Sequence, residues 1–133
     1  MSLLTKATDA SLDAASAMYA PQRSGLEAGE ALLALAPCYI KTSDGKVYMS
    51  NGTNADAAAQ FDGFTPRAYA SGDTNVTLFG IGTKMRYATG LTPGSKYYIG
   101  ATAGRLDTAA TTGDAVGVAK SITATVIRIT RDV

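Results

Sequence analysis

Apolar positions are sparse at the start of the chain. Residues 1–24 hold only Leu3, Leu4, Leu12, Met18 and Tyr19 as sizeable apolar side chains, among alanine, serine, threonine and aspartate. Leu12, Ala15, Met18 and Tyr19 recur at helical spacing, which predicts a short helix with Thr8 or Asp9 as its N-cap. A helix of about ten residues is marginal alone, because nucleation is costly. Residues 1–24 are therefore read as an arm that becomes ordered on something else, a frayed terminus being the alternative. Glycine marks the boundary: all fourteen lie between Gly25 and Gly117.

From Glu27 onward the pattern changes to short apolar runs divided by turn residues. Leu32 to Lys41 reads as a first strand interrupted by Pro37, which suits an edge or a bulge. Asp44-Gly45 predicts a two-residue type I′ hairpin, pairing Thr42 with Val47, Ile40 with Met49 and Lys41 with Tyr48. Asn54 to Gln60 reads as one helical turn or a loop, and Phe61 to Ala70 as a strand. Val76 to Phe79 alternates, and Gly80 and Gly82 around Ile81 predict a bulge or a close backbone approach before Met85 and Tyr87. Leu91-Thr92-Pro93-Gly94 fits a type II turn before the strand Lys96 to Ile99. Further strands are expected at Gly104 to Leu106, Ala115 to Ala119 and Ile122 to Thr130. About seven to nine short strands with turns at this spacing make an all-β domain, a small barrel or sandwich, over residues 25–133.

The length of 133 residues fits one domain. Twelve basic and eleven acidic side chains leave a net charge of +1, and neither sign clusters along the chain. That spread argues against an electrostatic nucleic-acid or membrane surface. Histidine is absent and Cys38 is the single cysteine, which excludes Ser-His-Asp or Cys-His catalysis, a His-containing metal site and an intrachain disulfide. Cys38, beside Pro37 in an apolar run, reads as a small buried hydrophobe. The first residues lack a basic region followed by a long apolar one, so synthesis in a cytoplasm-like compartment is expected. No catalytic group, metal or cofactor is expected.

The remaining motifs have structural explanations. Gly80-Ile81-Gly82-Thr83-Lys84 lacks the spacing and ending of a phosphate-binding loop. Asn51-Gly52-Thr53 and Asn75-Val76-Thr77 match the glycosylation pattern, as a threonine-rich chain does by chance. Asp44, Asp56, Asp62, Asp73, Asp107 and Asp114 fall one per loop, the usual placing of turn-capping aspartates. Ser95 and Lys96 point to opposite faces of a strand and cannot act as a pair. The seven tyrosines are more informative, because tyrosine suits surfaces with one dry and one wet end. Tyr97 and Tyr98 face opposite ways, so if one is core the other is a candidate for an interface.

Several segments resemble the head decoration (cement) proteins of tailed bacteriophages. They are Cys38 to Lys41 with Asp44 to Tyr48, Phe61 to Phe64, Ser71 to Asp73, Leu91 to Ile99 with Ala103 to Leu106, and Val116 to Ser121. Residues 1–24 carry none of the likeness. The run from Pro93-Gly94 through Tyr97-Tyr98 and Gly100 to Val116-Gly117-Val118-Ala119 also recurs in phage tail-fibre and receptor-binding modules. A tail-fibre, head-fibre or receptor-binding β module is therefore the alternative. An enzyme such as a two-aspartate glycosidase, and a major capsid subunit, are weaker readings.

The resemblance implies a small β-barrel that forms homotrimers on the outer capsid surface of the virion and clamps neighbouring capsomers. Its partner would be the major capsid protein, with no role for nucleic acid or membrane. The residue pattern is compatible with that. The last strand is apolar on both sides and calls for a central position or cover from a neighbour, and Tyr98, Ile127 and Ile129 are the expected oligomer interface. Leu3, Leu4, Leu12, Met18 and Tyr19 of the arm are the expected capsid contacts.

Overall fold

The structure, a computed structural model, describes residues 3–18 and 20–131. Tyr19, expected in the arm, lies outside the described residues. In chain order the elements are β1 (Ser11–Leu12), α1 (Ala14–Ala17), β2 (Gln22–Leu26), β3 (Pro37–Ile40) and β4 (Val47–Met49). A 3-10 turn (Ala57–Ala59) is followed by β5 (Gly63–Phe64), β6 (Val76–Phe79), β7 (Lys84–Arg86), β8 (Lys96–Ile99), β9 (Leu106–Asp107), β10 (Ala119–Ser121) and β11 (Val126–Ile129). They form two antiparallel sheets, β1-β7-β11-β10-β8-β9 and β2-β6-β5-β3-β4, as expected of an all-β barrel or sandwich.

Alternation fixes which side of the six-stranded sheet is dry. Met85, Tyr97, Ile99, Ala119, Ile127 and Ile129 point inward, where they join Phe61, Phe64, Tyr87, Leu91 and Leu106 in the main core. A second cluster, built on Cys38, Val47, Tyr69, Val76 and Leu78, belongs to the five-stranded sheet. Each large apolar side chain buried this way stabilises the fold by about 1.5–3 kcal/mol.

The chain changes sheets at Gly80-Ile81-Gly82-Thr83, between β6 and β7. The glycine run is thus a corner rather than a bulged strand. The expected close approach is present: a Cβ on Gly80 would lie 3.3 Å from the Pro21 carbonyl oxygen, to which the Gly80 N–H donates at 2.8 Å. The proline–glycine turn forms as well, with Ser95 N–H donating to the Thr92 carbonyl and Gly94 at φ 90°.

The hairpin differs in register. Cys38 faces Met49, Tyr39 faces Tyr48 and Ile40 faces Val47, and the Lys41 N–H donates to the Lys46 carbonyl. The loop is residues 42–45. Only Gly45 takes a positive φ there, 71°, whereas a type I′ turn needs it at both central positions. Asp44 instead accepts the Lys46 N–H at 3.0 Å. The slip is by two positions, so every side chain keeps its expected face.

The first and last expected strands are shorter than read. Leu35 sits at φ 52°, a left-handed conformation that breaks Leu32–Lys41 and leaves β3 to start at Pro37, where a missing N–H is tolerated. Of the expected strand over Phe61–Ala70, only Gly63–Phe64 pairs in a named strand, and Tyr69 makes a single bridge to Leu32. Residues 122–125 form the β10–β11 turn, with Thr123 Oγ1 accepting the Val126 N–H at 3.0 Å.

The expected arm is part of the fold. Leu4 N–H donates to Leu106, Ala7 N–H to Tyr87 and Asp13 N–H to Lys84, while Ser11 pairs with Arg86. Leu4, Ala10 and Leu12 pack against the main core. Ser11–Leu12 thus covers the β7 edge of the sheet, which would otherwise expose unpaired backbone, while Leu3 and Leu4 lie along β9. A boundary at residue 24 falls inside β2, whose Gln22 and Arg23 pair with Phe79 and Leu78. The expected ten-residue helix is one turn, because Ser11–Leu12 is spent on β1; Asp13, not Thr8 or Asp9, caps it by accepting the Ser16 N–H.

Candidate functional site

The loop carboxylates are each committed locally. Asp44, Asp56, Asp73, Asp107 and Asp114 all accept the N–H of the residue two positions on, the hydrogen bond of an Asx turn. Asp62 instead takes the Arg23 guanidinium at 2.6 Å and the Ile40 N–H at 2.8 Å. Asp114 goes furthest: its buried carboxylate also accepts from Ile99, Gly117 and the Arg131 guanidinium, tying three segments together. Among the described residues no group of three His, Cys, Asp or Glu side chains could hold a metal ion. Cys38 is fully buried, and desolvation, reinforced by the charge of Glu30, pushes its thiol pKa up.

The residues expected at interfaces are distributed differently. Ile127 and Ile129 are sealed inside the chain at 0% exposure, because they alternate with the outward Val126 and Arg128 and point into the main core. They offer a second subunit no surface, which corrects that assignment. Tyr98 is half-buried on β8, opposite in direction to the core residue Tyr97. Leu3, Leu4 and Leu12 are half-buried against their own barrel, Leu3 over Gly100 and bridged to Asp107, which corrects their assignment to a free capsid-binding arm. Among the described residues expected as capsid contacts, Met18 alone is exposed, at 68%.

An open, partly apolar area lies on the outer face of the six-stranded sheet. Two shallow depressions of about 420 and 510 Å³ adjoin there, sharing Lys84 and Ile122. Leu12, Ile81, Ile122 and Val126 give them an apolar lining. The turn holds Ile122 beside Val126, whose carbonyl accepts the Ile122 N–H at 2.9 Å. Asp13 and Arg86 stand at the β1 end, Arg86 bonded to Asp9 at 3.0 Å.

A row of cations runs beside this apolar strip. Lys96 faces Lys120, Lys120 faces Arg128 and Arg128 faces Lys84, so four adjacent strands each place one exposed cation at the same level. At the usual strand spacing the row is about 14 Å long. The other eight basic side chains are engaged within the chain. Arg23, Lys46, Arg67, Arg86 and Arg131 are in ion pairs, Lys6 and Arg105 reach carbonyl oxygens, and Lys41 lies over the Tyr48 ring. Burial, reinforced by the charge of Arg105, lowers the Lys6 pKa. None of the four cations in the row is in an ion pair among the described residues.

Sequence reasoning missed this row because its members are far apart along the chain. A local signal exists: Lys84-Met85, Lys96-Tyr97, Ala119-Lys120-Ser121 and Ile127-Arg128-Ile129 each alternate a cation with buried residues. Only strand order and register align them. No helix among the described residues is long and apolar enough to cross a membrane. Comparison of the chain with protein-family models, curated proteins and solved structures finds no match.

Proposed function

We propose that this protein is a structural binding module that decorates the outer surface of a tailed-phage head, attaching to the major capsid protein and clamping adjacent capsomers. The observation that carries the reading is the open outer face of the six-stranded sheet, where Ile122 and Val126, with Ile81 of the adjoining corner, line two adjoining shallow depressions. A shallow, partly apolar face suits docking onto another surface better than enclosing a small molecule. The sequence likeness to decoration proteins supports the choice of partner.

Attachment through this face replaces attachment through a free arm, since residues 3–18 are bonded into the barrel. Any trimer would form through surfaces other than Ile127 and Ile129. Binding only the expanded shell would stabilise that state by mass action, and linked subunits would bind it more tightly than single ones.

The test is co-sedimentation of the purified full chain with expanded heads assembled without it, followed by electron cryomicroscopy. Many copies arrayed over the outer surface are expected. A few copies at the tail or vertices would favour a fibre or receptor-binding module, and no association would overturn the proposal.

A further inference from the structure

We infer that the cation row is an acid-selective docking strip: Lys84, Arg128, Lys120 and Lys96 receive carboxylates of a partner protein, while Ile122 and Val126 receive its aliphatic side chains. This deepens the decoration reading, on which it rests for the partner being a capsid subunit.

Three observations support it. The row is continuous across four hydrogen-bonded strands, so the sheet itself sets its spacing. It collects the four cations that are in no ion pair among the described residues, while the other eight are engaged there. Like charges directly opposed across strands are destabilising, so the isolated fold carries a cost that an acidic partner would remove. The neighbouring strip of Ile122 and Val126 decides the class of partner. Nucleic acid would use the cations and leave those aliphatic groups uncovered. A protein surface bearing both carboxylates and aliphatic side chains covers both.

The test measures binding of the full chain to a glutamate–leucine copolymer, to a short DNA duplex and to expanded heads, over a range of salt concentrations. The copolymer should bind more tightly than DNA and weaken as salt screens the row. The Lys120→Gln/Arg128→Gln double variant should lose at least about tenfold in affinity for copolymer and heads, with a melting temperature equal to or above that of the parent. Lys84→Gln/Lys96→Gln is the second variant should the first fail to fold, and Lys46→Gln, away from the face, should bind as the parent does. Tighter binding to DNA than to copolymer, or copolymer and head binding unchanged in the folded double variants, would overturn the inference. Failure of the parent to bind heads would instead remove the decoration reading, and the copolymer comparison would then decide the inference by itself.

Discussion

Lys120 faces Arg128 across the β10–β11 pair, and on its other side it faces Lys96. One cation thus has a like charge on each flank, at positions where an opposite charge would be favourable. Replacing Lys120 by glutamate converts two repulsive pairs into two attractive ones. The expected result is a gain of about 0.5–1 kcal/mol in unfolding free energy at low ionic strength, shrinking at high salt. Urea denaturation at the two salt levels measures it. A loss of stability in Lys120→Glu would mean that the row is not under mutual repulsion.

That arrangement also marks where the sequence stopped being legible. Alternation at Lys96-Tyr97-Tyr98-Ile99 and at Val126-Ile127-Arg128-Ile129 correctly separates dry from wet positions. Which strand lies beside which depends on long-range pairing, and so does any feature built from several strands. The hairpin shows the same limit locally. Its faces were readable, but its register was decided by φ at Asp44 and Gly45. The N-terminal segment misled for a different reason: five scattered apolar residues look too few to fold, but an existing core needs only a few of them to cover an edge. Ile127 and Ile129 misled because the strand was read as apolar on both sides, whereas residues 122–125 form a turn and β11 itself alternates Ile127 and Ile129 inward with Val126 and Arg128 outward.

Asp114 anchors the region where β8, the segment following Thr111 and Arg131 meet. Its carboxylate accepts the N–H groups of Ile99 at 2.9 Å, Gly117 at 2.8 Å and Val116 at 3.0 Å, besides the Arg131 guanidinium. Asn at this position keeps the shape but turns one acceptor into a donor and leaves Arg131 without its counter-ion. Asp114→Asn is expected to cost about 3 kcal/mol. Arg131→Gln should cost less, because the three backbone donors keep their acceptor. Equal shifts of the urea midpoint in the two variants would show that the ion pair, not the backbone cage, is what matters.

Thr83 closes the corner between the sheets, with its carbonyl accepting the Ile129 N–H at 2.9 Å. Its side-chain oxygen is buried and has no hydrogen-bond partner among the described residues. Valine has nearly the same shape without the polar atom, so Thr83→Val should raise stability by about 1 kcal/mol. For a domain of this size that is a rise of about 3–5 °C in melting temperature by calorimetry. A decrease would show that the hydroxyl has an unseen partner.

Tyr87 links burial to alkaline stability. It is 1% exposed, and desolvation raises its pKa from the ordinary 10.0 to about 12, against a smaller opposing influence of Arg105. A tyrosine whose pKa rises on folding favours the native state while the hydroxyl stays protonated. Its contribution is complete below pH about 10 and is lost as pH rises through about 12, because the unfolded chain ionises first. The share assigned to this one group is about 3 kcal/mol. Tyr39, raised by desolvation, and Tyr48, raised by its hydrogen bond to Asp44, add declines of the same sign. Tyr87→Phe should therefore flatten the alkaline fall of the urea midpoint without abolishing it, and the last step in tyrosinate absorbance should disappear. Parent and variant curves that run parallel from neutral pH upward would show that Tyr87 is not the group that limits alkaline stability.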